Sequence, residues 1–401
     1  MNFKRKLWWA QHRTDVYKYG TILSLVLIVT ISIIYFTYSK FSSSNEMTMY
    51  ETTVEPFIKN DYFIASYIDG EWSNEIPGKD DGYVVDKIVC DNGAVGTWDN
   101  DEWGINIRNA TKKIKCSVFF KQATIILGKV IEDESQIATD DPDNNIRYIG
   151  ANPNNYVYFN CSDYSNQSDS TCEKWRIIGV FKNMTKEDGT KEDLVKIIRN
   201  DFIENIAWDS KGVNDWSTAT LQTTLNGEYY NGTYAKGALK NDSTRNAIES
   251  VVWNLGGAEN NITASAYYTA ERGTSVASGH APTWTGKIGL MYPSDYGYAT
   301  SGNSTTDRAT CLSKELYNWD SAIDCYGNDY LFNDSYNQWT LAPAWSNAFV
   351  VFLVSSGGDV CGISVDDDSR SVRPVAFLKS NISITDVGIG TAESPFQLKV
   401  G

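Results

Sequence analysis

Between Phe57 and Phe120 apolar and polar residues alternate in short runs, YFIASYI, GYVVDKIVC, WGINIRN and KIKCSVFF, separated by Gly, Asp and Asn clusters. A period of two turns one side of each run to a core and the other to solvent, which predicts a compact antiparallel β-sandwich. From Ile146 onward the pattern changes. YIGANPNNYVYF and KWRIIGVF read as strands, whereas STATLQTTLNG and STRNAIESVVWNLGG carry apolar residues at helical spacing and end at Gly227 and Gly256. Leu221 and Leu225 form one core-facing stripe, and Ile248, Val252 and Leu255 another. FVVFLVSSGGDVCGISV then predicts a strand, a Gly-rich turn and a second strand, followed by SVRPVAFL and SPFQLKV.

A different pattern precedes these segments. Residues 20–38, GTILSLVLIVTISIIYFTY, form an uncharged and mostly apolar run long enough to span a hydrocarbon layer as a helix. Lys4, Arg5, Lys6, Arg13 and Lys18 precede it and Lys40 follows, so the positive-inside rule puts residue 1 in the cytoplasm. A cleaved signal peptide is the alternative, against which stand the length of the run and the lack of an A-x-A site. The expected organisation is a basic cytoplasmic tail over 1–19, a transmembrane helix over 20–38, a linker over 39–54, a small β domain over 55–125, an acidic linker over 126–145 and a larger domain over 146–401. The expected localisation is the cell membrane, single-pass, with the C-terminal domains extracellular.

Composition narrows the class. With 13 Trp, 24 Tyr and 42% hydrophobic residues among 401, the chain has large side chains for cores, and its abundant Asn, Ser, Thr and Gly suit a loop-rich β or α+β fold. A formal charge of −15, with no basic stripe beyond the N-terminal tail, excludes nucleic acid as an expected partner. None of the seven cysteines forms a C-x-x-C pair. Cys90 with Cys116, Cys161 with Cys172 and Cys311 with Cys325 bracket short loops of the kind a disulfide constrains, and Cys361 is left over; buried thiols are the other reading. Disulfides fit an oxidising exterior. Asp141, Asp143 and Asn145 have the spacing that opens a calcium loop, but Ile146 occupies the glycine position and no Glu closes it, so the stretch reads as solvated linker. Trp98 and Trp103 suit core packing against the first disulfide, with sugar stacking as the alternative.

WRIIGVF, TWTGKIGLMYPSDYGYA, QWTLAP, the hairpin, SVRPVAFL and GIGTAESPFQL, in that order over residues 146–400, resemble a domain of unknown function from exported proteins of gut Firmicutes. That domain is similar to the C-type-lectin fold of retroelement variable proteins and of formylglycine-generating enzymes. The segment 57–120 more weakly resembles small β repeats of bacterial surface proteins. The resemblance implies an α+β fold class: transmembrane helix, small all-β sandwich-like domain, then a C-type-lectin-like α+β domain. From Ser346 to Arg373 there is no Lys, Glu, Gln, Met or Trp. Adenine-directed mutagenesis of Asn codons in the retroelement family leaves that signature, and so does ordinary β-propensity; both readings stand.

His12 and His280 are the only histidines, and no G-x-S-x-G or H-E-x-x-H motif accompanies His280. The expectation is therefore no enzyme, cofactor or metal, but a membrane-anchored extracellular binding protein, adhesin or receptor-like, for a protein or glycan ligand. Its expected ligand face comprises Trp345, Ser346, Asn347, Phe349, Asp359, Cys361, Asp366, Asp367, Asp368 and Arg370, where aromatic anchors accompany short polar side chains. Trp339 is expected in the core, and Arg373 at the turn into the last strands. The alternatives are a structural or assembly component of the cell surface and a glycan hydrolase, since the 50 acidic residues allow many carboxylate pairs.

Overall fold

The computed structural model describes residues 62–400, apart from 69, 74, 79–82, 100–101, 110–112, 123, 133–135 and 386, together with 12–14 and 18. The chain divides into two compact units, Met1–Gln122 and Ala123–Gly401. Residues 126–145, read as a linker, fall in the second.

In the first unit, β1 (Tyr62–Ile68), β2 (Glu71–Ser73), β3 (Tyr83–Cys90) and β6 (Ile114–Gln122) form a sheet in the order β2-β1-β6-β3. β4 (Val95–Asp99) and β5 (Gly104–Arg108) form a separate hairpin. Alternation decides which residues go inside. Ile114, Cys116, Val118 and Phe120 of β6 are buried and gather Ile105 of the hairpin into one core, with Trp98 and Trp103 packed edge to face at 5.2 Å. The wholly antiparallel expectation fails at one place: β1 runs parallel to β6, from Tyr62 opposite Ile114 to Ile68 opposite Phe120. Local alternation predicts strands but carries no information about their direction.

The second unit is built on antiparallel strands β8 (Ile137–Ala138), β9 (Ile146–Tyr148), β11 (Glu173–Thr185), β12 (Lys191–Arg199), β13 (Ile248–Glu249) and β20 (Val375–Leu378), in the order β13-β20-β12-β11-β9-β8. β10 (Tyr156–Phe159) also pairs with β11, and β16 (Ile288–Gly289) with β20. Trp175 to Phe181 of β11 are all buried, so this strand is covered on both faces. At Gly179 a Cβ would lie 2.1 Å from the Ile146 carbonyl oxygen, so β9 reaches β11 only because the residue is glycine. Smaller sheets join β14 (Val251–Asn254) to β15 (Thr283–Gly286), β17 (Gln338–Pro343) to β18 (Val350–Val354) and β19 (Val360–Ser364), and β7 (Thr124–Ile125) to β21 (Ser383–Ile384) and β22 (Leu398–Lys399).

The expected α+β class, with a transmembrane helix and a C-type-lectin-like α+β domain, is corrected by this architecture: the described residues are mostly β, 35% strand against 18% helix, in several sheets. The predicted span 20–38 lies outside the described residues, and among the described residues no helix is long and apolar enough to cross a membrane. One cause is visible at STRNAIESVVWNLGG. Only Asp242–Asn246 is helical; Ile248 and Glu249 join β13, and Val251–Asn254 pair with Thr283–Gly286. β-Branched and aromatic residues at helical spacing also satisfy a pleated strand, and the long-range partner decides. In STATLQTTLNG the helix does form, in short turns over 216–229, and buries Leu221 and Leu225.

Candidate functional site

Three disulfides are present, Cys90–Cys116, Cys161–Cys172 and Cys311–Cys325, and Cys361 is a free thiol. Together they fit a protein of an oxidising compartment. Trp339 is buried with its indole N–H donated to the Ile206 carbonyl at 2.9 Å. Arg373 donates to the Arg199 carbonyl and to Gln338, fastening the approach to β20.

The residues expected to face ligand separate into two groups. Trp345, Ser346, Asn347 and Phe349 lie on the connection from β17 to β18, and Asp366, Asp367, Asp368 and Arg370 on the segment leaving β19. Antiparallel pairing of Val350 with Ser364 brings these two segments together, and the Val365 amide donates to the Phe349 carbonyl at 2.9 Å. Asp359 stands at the opposite end of the same hairpin, beside the turn closed by Ser355. Five residue steps of about 3.4 Å from Asp359 to Ser364 put it roughly 17 Å from that cluster. Cys361 lies opposite Leu353 and packs half-buried against the core; burial, then the neighbouring Asp359 charge, pushes its thiol up to about 12.

The cluster is held by residues that nothing in the local sequence flags. The amide of buried Asn214 donates to the carbonyls of Ala344, Asn347 and Val350, at 3.1, 2.8 and 2.7 Å, while its backbone N–H donates to Ala348. One side chain therefore fixes the whole connection. Gly257 passes so close that a Cβ would sit 2.7 Å from the Trp345 backbone, and the Trp345 indole donates to Glu259 at 2.9 Å. Even so, Trp345 remains 42% and Phe349 60% exposed, in a unit whose Trp175, Trp208, Trp216, Trp253 and Trp319 are fully buried. Beside them Asp367 accepts from the Ser369 amide and from Arg370 at 2.8 Å, and the Ser369 hydroxyl, with these partners, holds its carboxyl below the usual range. Asp366 accepts from the Ser364 hydroxyl, and Asp368 is exposed. The surface is thus two aromatic side chains beside short hydroxyl, amide and carboxylate groups.

A second concavity, of about 170 Å³, is lined by Asp143, Asn145, Lys182, Asn254, Tyr268 and Arg272, among others. Its polar groups are largely engaged with one another. Tyr268 donates to Asp143 at 2.6 Å and accepts from the Asn145 amide at 2.8 Å, while the Arg272 guanidinium lies 3.3 Å from the centre of the Tyr268 ring. Behind this cleft Asp141 and Asn145, read from sequence as solvated, are 3% and 2% exposed. Asp141 accepts from Arg147 at 2.6 Å, Arg147 reaches Asp295 at 2.9 Å, and Lys196 closes on the second oxygen of Asp295. This buried ion network links β9, β12 and the helix Pro293–Ala299. Among the described residues no group of three His, Cys, Asp or Glu side chains is placed to hold a metal ion.

Compared with protein-family models, with curated proteins and with solved structures, the chain matches none.

Proposed function

We propose that this chain is an extracellular binding protein whose second unit meets its ligand through the surface around Trp345 and Phe349. The observation that carries the reading is the pairing of exposure with rigidity: two large aromatic side chains in solvent on a connection fastened by Asn214. Fixed aromatic groups lose little conformational entropy on binding and supply most of the contact energy at recognition surfaces, while Ser346, Asn347 and Asp366 offer adaptable hydrogen bonds. Asp359 and Cys361 play no part in this surface. The three disulfides favour placement outside the cell.

The test is to probe glycan and extracellular-protein arrays with the full chain and with a Trp345→Ala, Phe349→Ala variant of unchanged thermal midpoint. A ligand retained by the parent and lost by the variant supports the proposal. A variant that keeps every ligand the parent binds, or no ligand at all, overturns it.

A further inference from the structure

The first unit has a second aromatic surface that its own core does not use. In the sheet β2-β1-β6-β3 the even-numbered residues of β6 point into the core, so Lys115, Ser117 and Phe119 point the other way. Register aligns their neighbours. Trp72 of β2 lies opposite Tyr67 of β1, Tyr67 opposite Phe119 of β6, and Phe119 opposite Lys87 of β3. These four side chains form one row across four strands, on the outer face. Phe63 and Lys115 form a shorter row beside it, with Ala65 and Ser117 between the two.

The face is apolar where an outward sheet face is ordinarily polar. Trp72 is 59% and Phe63 57% exposed, and Val89 lies beside them in solvent. The Tyr67 and Phe119 rings stack at 4.6 Å with an interplanar angle of 13°. Lys87 Nζ lies 4.6 Å above the Phe119 ring and Lys115 Nζ 5.7 Å above that of Phe63. In a chain of net charge −15, this face therefore carries ammonium groups held against aromatic rings.

We propose that this outer face docks an anionic polysaccharide. The carbon-bound hydrogens on one side of a sugar ring make an apolar surface that packs on aromatic faces. Strands about 4.8 Å apart set Trp72, Tyr67 and Phe119 over roughly 10 Å, the length of about two linked sugars. Lys87 and Lys115 stand where carboxylate or sulfate substituents of such a chain would meet them, which gives the charge complementarity that selects an acidic glycan over a neutral one. A single-stranded nucleic acid would use similar stacking and charge, but the disulfides fit an oxidising exterior, where polysaccharide is the expected polymer and nucleic acid is not.

The experiment is affinity electrophoresis of the full chain in gels containing polygalacturonate, dextran sulfate or neutral dextran, with poly-dT and phosphatidylglycerol vesicles as competitors. Retardation by at least one acidic polysaccharide and not by dextran is expected. Trp72→Ala should weaken it about tenfold, the loss of one aromatic contact. Lys87→Gln with Lys115→Gln should weaken it and flatten its salt dependence. Both substitutions are at exposed positions, so folding is checked by an unchanged thermal midpoint, and Ile389→Ala, at an exposed position of the second unit, should leave retardation as it is. No retardation by either acidic polymer, retardation insensitive to both variants, or preferential competition by poly-dT or by vesicles would overturn the proposal.

Discussion

Arg147 and Lys196 grip opposite oxygens of the same carboxylate, that of Asp295, inside the second unit where all three side chains are essentially without solvent. Arg147 comes from β9, Lys196 from β12 and Asp295 from the helix Pro293–Ala299, whose first turn Asp295 also caps by accepting from the Tyr292 amide at 2.9 Å. Removing one partner leaves an uncompensated buried charge. Asp295→Asn is therefore expected to cost about 3–5 kcal/mol in the unfolding of the second unit, measured by urea denaturation followed by tryptophan fluorescence. A loss below ~1 kcal/mol would show the network to be dispensable.

The same carboxylate predicts a response to acid. Burial raises its pKa, but the Lys196 and Arg147 charges prevail and hold it down to about 2, from an ordinary 3.8. A carboxyl whose folded pKa is depressed contributes stability above its unfolded value and loses it as pH falls through the folded one. The urea midpoint should fall as pH drops from about 4 towards 2, with a weaker dependence in Asp295→Asn. The surface carboxylates Asp140, Asp169 and Asp367 are also depressed and add in the same direction. A midpoint that is flat to the end of this range would contradict the assignment.

Asn214→Ala should loosen the candidate surface without touching ligand. Three carbonyls lose their shared donor; those of Val350 and Asn347 keep the Ala344 and Val350 amides, and the buried Ala344 carbonyl, left without one, costs about 1–3 kcal/mol. Limited proteolysis should then cut between 344 and 350 in the variant under conditions that leave the parent intact. An unchanged digestion pattern would mean that the connection is held by other contacts.

Cys361 is expected to behave as a poor nucleophile. With its thiol pushed up to about 12, first by burial and then by Asp359, it should resist iodoacetamide at pH 8 in the folded protein and react readily in urea. Rapid alkylation of the native chain, seen by intact mass, would remove this reading.

Local pattern made much of the architecture legible. The alternating runs 62–68 and 113–120 became β1 and part of β6, the hairpin around Gly357 and Gly358 formed as read, and cysteine spacing indicated the three bridges. Partners distant in sequence overruled it elsewhere. Val251–Asn254 look helical until Thr283–Gly286 are placed beside them, and Asp141 looks like surface until Arg147 leads to Asp295, 148 residues further on. The candidate surface was half legible for the same reason. Exposed aromatics beside Ser and Asn suggested Trp345 and Phe349, but Asn214, which fixes them, lies more than 130 positions upstream of the Asn347 and Val350 carbonyls it holds.

The parallel pairing of β1 with β6 gives the first unit a mechanical character. The chain enters the sheet at Tyr62 and leaves it at Gln122, and because the two strands run in the same direction these points lie at opposite ends of one ladder. Tension between them slides β1 along β6, loading the seven paired positions from Tyr62–Ile114 to Ile68–Phe120 simultaneously rather than peeling them one at a time. Forced unfolding follows the rate at which such a barrier is crossed rather than equilibrium stability, so a modest domain pulled between these two points can withstand a tension that would unzip a hairpin of equal free energy.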